Sequence, residues 1–271
     1  MESAVVDRRK CGKTDMRIQY KAITLALIGL IATSSTQGQE AAQTKEHPLE
    51  PAIRYTQKCL EKVKTLPGYE ATFLKREVVG SSTISQKMKM KVRHKPFSVY
   101  LYFENPHAGR EVIYVDGRNN GKLLAHEAGL LSFAGTMELA PTESTAMSEN
   151  RYPITKAGIA NTLQIMIQKW KGETRYGETE VKFFKDATLD TMTCKVIECT
   201  HPQPRRQFDY HKMRLWIDNK TGIPVRMQKF GFPTRAGSKP PIIEDYTFLN
   251  LKTDVRLTDA DFDQNNKKYK F

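Results

Sequence analysis

Long apolar runs are missing from this sequence. The longest, residues 22–32 (AITLALIGLIA), is eleven residues, well short of the about 20 that a membrane-crossing helix needs. Cysteine is scarce: Cys11, Cys59, Cys194 and Cys199, of which the last three follow that run. An odd count without repeating spacing excludes a disulfide-stapled fold. Cys194 and Cys199 sit five apart in a strand-like stretch, which points them to opposite faces. Cys59 keeps step with Leu49, Ala52, Ile53, Thr56, Leu60 and Val63 and reads as a small core hydrophobe. Catalytic motifs are also lacking. His126-Glu127 opens like a zinc-protease motif, but Leu130 stands where the second histidine belongs. Residues 117–122 (GRNNGK) fall one short of a phosphate loop, Leu123 replaces its Ser/Thr, and there is no Gly-x-Ser-x-Gly elbow. No cofactor is implied. Acidic residues number 30 against 43 Lys and Arg, a formal charge of +13. A surface this basic meets anionic lipid, acidic polysaccharide or acidic protein.

What the sequence has begins with its first forty residues. A basic stretch at 16–21 (MRIQYK), the apolar run, and small polar residues at 33–38 (TSSTQG) are the three parts of a secretory signal peptide. Residues 1–38 are therefore expected to be a signal peptide, with Met16 a candidate true start, and the mature chain is expected outside the cytoplasm, in the periplasm. No cysteine follows the apolar run, so no lipid-anchored N-terminus is expected. The segment carries six basic and three acidic residues, which leaves +10 on residues 39–271. About 230 residues suffice for one sizeable core, so a linker at 39–48 and a single domain at 49–271 are expected.

Within that domain, a helix is expected over 49–66, with Pro51 tolerated in its first turn and Pro67-Gly68 ending it. Strands follow at 69–79, 84–94, 97–103, 111–116 and 122–126, the last two joined through Asp116-Gly117 and Asn120-Gly121. Residues 134–155, rich in Gly, Ser and Pro, read as a long loop with room for one short element. Thr155 is expected to cap a helix running to Lys171, whose stripe of Ile159, Leu163, Met166, Ile167 and Trp170 is a core-packing face. Strands resume at 181–184, 194–200, 210–218, 223–230 and 242–251, with a hairpin through 219–222 (NKTG). A last turn at 258–262 starts on a capping residue followed by acids. The fold class is α+β: a large antiparallel sheet of about nine strands with two main helices.

Two strands carry the functional argument. Residues 87–93 (KMKMKVR) alternate strictly, so Lys87, Lys89, Lys91 and Arg93 form a basic face opposite Met88 and Met90. Residues 97–103 (FSVYLYF) are apolar on one face and aromatic on the other, as where both sides are covered, and two amphipathic helices are available as cover. Cys194, Cys199, His201 and His211 are the candidate metal ligands, with Cys199 and His201 sharing strand parity; their spacing matches no standard site.

Lys75-Arg76-Glu77, residues 93–100 (RHKPFSVY), Asn105-Pro106, residues 109–117 (GREVIYVDG), His201-Pro202, residues 208–211 (FDYH), Ile217-Asp218 and Asp261-Phe262 together resemble a bacterial family of exported proteins known as a domain of unknown function. More distantly, the order Lys-Pro-aromatic, Pro, Asp-Gly and the Asp-x-x-Thr-Gly-x-Pro hairpin are similar to the periplasmic lipoprotein carrier and its receptor, the LolA/LolB-like fold. That resemblance implies an incomplete antiparallel barrel whose concave face is covered by helices enclosing an apolar cavity for acyl chains. Met88, Met90, Phe97, Val99, Leu101 and Phe103 are the expected wall of that ligand cavity. The leading expectation is a carrier for a lipid, lipidated protein or other amphiphile, without catalysis and without nucleic acid. One alternative is an envelope-associated interaction protein with a filled core, docking on a partner or an anionic membrane surface through the basic strand face. A further one is a hydrolase or metal enzyme using the Cys194/Cys199/His201/His211 group.

Overall fold

The computed structural model describes residues 46–235 and 237–271. The expected signal segment and most of the expected linker lie outside the described residues. Helix α1 (Leu49–Thr65) buries Leu49, Ala52, Ile53, Thr56, Cys59 and Val63. They recur every three or four residues along one side, so a single stripe meets the sheet. Leu66 turns extended and the chain passes directly into the first strand.

Among the described residues, eleven strands form one sheet. They are β1 (Gly68–Val79), β2 (Ser82–His94), β3 (Phe97–Asn105), β4 (Glu111–Val115), β5 (Leu123–His126), β6 (Thr136–Leu139), β7 (Glu180–Leu189), β8 (Met192–Thr200), β9 (Lys212–Asp218), β10 (Pro224–Phe230) and β11 (Ile242–Lys252). Their spatial order is β6-β5-β4-β3-β2-β1-β11-β10-β9-β8-β7, every pair antiparallel. Two meanders, one from each half of the chain, thus meet where β1 pairs with β11, and the sheet stays open with β6 and β7 at its edges. The expected α+β sheet is there, with more strands than the expected nine. Four-residue β6 (TMEL) sits in the stretch read as a loop; so short an alternation between turn residues carries little period-two signal. β7 runs past the expected Phe184 to Leu189, interrupted by a register shift between Phe184 and Ala187 where Asp186 takes a left-handed φ of 58°.

Between the meanders lie a short helix α2 (Ser144–Met147) and helix α3 (Ile159–Glu173). Thr155 does not cap α3, contrary to expectation; it sits in a 3-10 turn, and Gly158 is the capping position, with φ 89°. The reason is tertiary. Tyr69 Oη accepts a hydrogen bond from the Ile159 N–H at 2.9 Å, satisfying one of the free donors of the first helical turn. A Cβ at Gly158 would come within 2.8 Å of that same oxygen.

α1 and α3 share one hydrophobic core with the inward face of the sheet. The outward face carries a smaller cluster of Tyr100, Ile113, Val115 and Leu124, closed by Phe262 and Tyr269 of the C-terminal segment. Residues 97–103 are covered on both sides as expected, but helices cover only one; the second cover is the C-terminal segment. Tyr269 stacks on Tyr100 at 4.2 Å between centroids, and a capping box through Thr258 and Asp261 shapes the turn that delivers Phe262.

Candidate functional site

The inward face of the sheet does not fill completely against the helices. A cavity of about 370 Å³ remains between β1–β5, β6, β9–β11 and the segment 141–169. Met88, Met90, Leu101 and Phe103 line it, with Phe73, Leu123, Met137, Met166 and Met227. The register explains the wall: Met88 faces Phe103 and Met90 faces Leu101 across β2 and β3. Phe97 and Val99, expected to share it, do not line the cavity. They point to the same side but lie further along β3, where Val99 pairs with Val92 and the Gly158 turn closes onto Val92. Val99 is fully buried there, and Phe97 packs against Tyr114 at 6.2 Å.

One end of this apolar chamber is charged. At the far end of the same inward face the strands carry Gln86, Lys75, Glu77, Glu244 and Lys229, all buried and all lining the cavity. Pairing sets them side by side: Gln86 opposite Lys75, Glu77 opposite Glu244, Glu244 opposite Lys229. Segment 149–152 supplies partners. Lys75 Nζ donates to the Glu149 carbonyl at 2.9 Å and lies 3.7 Å from Glu77. Arg151 N–H donates to Glu77 at 2.9 Å, and the Arg151 guanidinium meets Glu244 at 3.1 Å. Lys229 bridges Glu244 and Asp209. Tyr246 and Tyr152 hydroxyls donate to Glu77 and Glu244. Burial lowers the Lys75 pKa, offset in part by Glu77 and Glu149. For Asp209 burial opposes ionisation, but Lys169 and Lys229 outweigh it and its pKa falls. Buried charges survive only when paired in this way.

This charged layer was not singled out in the sequence. Its signal was present in the parity of β1, where Lys75 and Glu77 continue the inward-facing series of Ala71 and Phe73. An isolated polar residue at a core-facing position says little, however, until its neighbours across four strands are known.

The basic face of β2 divides in two. Lys91 pairs with Asp261 at 2.7 Å, and Arg93 pairs with Asp259 at 2.7 Å while its guanidinium covers the Phe262 ring. Both are occupied in holding the C-terminal segment. Lys87 and Lys89 remain exposed and share Glu104.

Of the candidate metal ligands, the fold brings Cys199 and His201 together and leaves Cys194 and His211 out. Cys194 points to the other face of β8, as its parity requires. His211 Nδ1 donates to the His201 carbonyl at 2.9 Å, and His211 is not among the residues whose donor atoms gather here. The third member is Glu173, the last residue of α3; donor atoms of Glu173, Cys199 and His201 lie within 4.8 Å of one another, all buried. Tyr210 Oη donates to Glu173 Oε2 at 2.6 Å and lies 3.4 Å from Cys199 Sγ. Burial pushes the Cys199 thiol up to about 12, with Tyr210 opposing and the Glu173 and Glu198 charges adding. Cys59, Cys194 and Cys199 are all free thiols.

Fold and site together define an open antiparallel sheet with helices over one face and a two-ended cavity beneath them. Residues 66–271 match the model of the family described as protein of unknown function DUF1571, and the chain belongs to that family. The search of curated proteins gives no match. Among solved structures, the chain is similar to a DUF1329 family protein from Desulfovibrio piger (12% identity, 80% of this chain and 98% of that chain, TM-score 0.38). It is also similar to the Mycobacterium tuberculosis lipoprotein LppX (14% identity, 77% and 100%, TM-score 0.44). A LolA superfamily protein from Nitrosomonas europaea matches at 12% identity over 77% and 97% with a TM-score of 0.31.

Proposed function

We propose that this protein is an exported, periplasmic binding or carrier protein for an amphiphile: a lipid, a lipidated protein, or a molecule of similar chemistry. The observation that carries the reading is the division of the cavity, methionine and aromatic side chains at one end and a buried, paired charge layer at the other. An acyl chain gains about 0.8 kcal/mol per methylene removed from water, so the apolar end attracts a tail without any catalytic group. The charged end offers donors and acceptors to a polar head. Pockets that bind small ligands begin near 300 Å³, and about 370 Å³ fits a single chain segment. Lining by methionine suits cargo of variable shape, because the unbranched thioether adapts at low cost.

The test is purification of the full chain from the envelope fraction of a bacterial host without detergent, then lipid mass spectrometry and titration with a fluorescent fatty acid. A defined acyl-bearing molecule near one-to-one ratio, or saturable uptake of the probe, is the expected result. Ligand-free protein that takes up no probe would overturn the reading. A second reading, an interaction protein of the envelope, is favoured by Leu130 and Phe133, 92% and 86% exposed in the turn between β5 and β6. Large apolar side chains held in water at a loop tip are contact points for a membrane or a partner.

A further inference from the structure

The Glu173, Cys199 and His201 cluster has no part in the amphiphile reading, and its polar atoms do not balance. His201 Nδ1 sits 3.1 Å from the Tyr210 carbonyl; a carbonyl only accepts, so Nδ1 carries the proton. In the neutral ring this leaves Nε2 with its lone pair. Nε2 is buried without a hydrogen-bond partner, and so is Glu173 Oε1, in residues 0% and 2% exposed. Nε2 faces Glu173 Oε2 at 3.5 Å, an oxygen that already accepts from Tyr210. Lys169 Nζ approaches Glu173 Oε1 only to 3.7 Å. With Nε2 unprotonated, two acceptors face each other away from water and repel, and each buried group left without a partner is destabilising. A cation between them turns the repulsion into attraction, and the Cys199 sulfur lies on the same small space.

We propose that Glu173, Cys199 and His201 form a binding site for a divalent transition-metal ion of the zinc type. One imidazole, one thiolate and one carboxylate select such an ion over calcium or magnesium, which take oxygen ligands. Zinc bonds of about 2.0–2.3 Å place tetrahedral ligand atoms roughly 3.3–3.7 Å apart. The three donors, within 4.8 Å of one another, reach that arrangement by shifts of a fraction of an ångström to about one ångström. Tyr210 orients all three: its carbonyl fixes the His201 tautomer, and its hydroxyl touches Glu173 and Cys199. Hydrogen bonds of this kind to the back of metal ligands set their direction and basicity. On binding, the Cys199 thiol releases its proton to solvent and the sulfur takes the metal. The ion ties the end of α3 to the end of β8, just behind the cavity wall where Lys169 meets Asp209. Its role is therefore that of a pin for the wall.

The experiment uses the untagged full chain, stripped with chelator and titrated with Zn²⁺ and with Co²⁺. One equivalent of zinc surviving dialysis is expected, together with a sulfur-to-cobalt charge-transfer band in the near ultraviolet. Cys199→Ser should abolish that band. His201→Gln should weaken binding by about tenfold or more. Cys194→Ser should change neither. Absence of metal uptake by the wild-type chain overturns the proposal, and so does a cobalt spectrum without the thiolate band. The wild-type spectrum decides even where a variant fails to fold.

Discussion

Replacing Gly158 by alanine tests how α3 is placed over the cavity. Gly158 holds φ 89° and ψ 164°, a region essentially reserved for glycine that costs other residues about 1–3 kcal/mol. The added Cβ meets Tyr69 Oη at 2.8 Å and both Val92 methyls at 3.6 Å. Tyr69 cannot swing aside freely: it is fully buried, with edge contacts to His94 and Phe248. Its hydrogen bond to the Ile159 N–H must weaken, and such a bond is worth about 0.5–1.5 kcal/mol. The two effects sum to about 2–4 kcal/mol, or a Tm lower by about 5–15 °C for a domain of this size. The assay is calorimetry alongside urea unfolding of wild type, Gly158→Ala, Tyr69→Phe and the double variant. Tyr69→Phe alone should cost about 1–3 kcal/mol, because it orphans a helix N–H. The double variant should lose less than the sum, because removing the hydroxyl removes the clash. A Gly158→Ala protein within about 0.5 kcal/mol of wild type, the range of inert surface changes, would refute the account.

Leu101→Trp pushes a larger side chain from the middle of β3 into the cavity; fluorescent fatty-acid affinity should fall about tenfold or more, about 1.4 kcal/mol, with the fold retained by circular dichroism. Val99→Ala, two residues along in filled core, should do the reverse: a stability loss of about 1–3 kcal/mol with probe affinity unchanged, and equal effects of the two on binding would remove the distinction between wall and core. Asp218, buried in the β9–β10 turn, accepts from the Thr221 N–H at 2.9 Å, the Thr221 hydroxyl at 2.6 Å and the Lys220 N–H at 3.3 Å. Burial opposes its ionisation, these bonds outweigh it, and its folded pKa lies below the ordinary 3.8. A depressed folded pKa gives stability that is present above the unfolded value and lost as pH falls through the folded one. Asp218→Asn should therefore cost about 1–3 kcal/mol at neutral pH, and urea titrations should show the gap closing below about pH 3.9; a gap unchanged by pH would contradict the assignment.

Much of this was written locally. The alternation at 87–93 placed Met88 and Met90 on one face and the lysines on the other, because side chains on a strand take turns. The stripe from Leu49 to Val63 and that from Ile159 to Trp170 gave the buried faces of α1 and α3. The five-residue step from Cys194 to Cys199 kept the two thiols apart. Each of these follows from the periodicity of one element and needs no partner.

Other decisions needed residues far apart in the chain. Pairing of β1 with β11 gathers Lys75 and Glu77 with Glu244 and Lys229 into one layer, about 150–170 residues apart in sequence, and turns four unremarkable polar positions into the charged end of a cavity. The same closure gives Tyr69 its place over the first turn of α3, so Gly158 rather than Thr155 begins that helix. The C-terminal segment folds onto β2 and β3, which commits Lys91 and Arg93 to Asp261 and Asp259 and covers half of the face that looked ready to dock. Glu173 joins Cys199 and His201 only because α3 ends against β8. Sequence alone determined which side of each strand and helix is apolar, since that depends on spacing within a few residues. Tertiary structure decided which polar groups share the interior, since a buried charge is tolerable only beside a partner that the fold, and not the local chain, supplies.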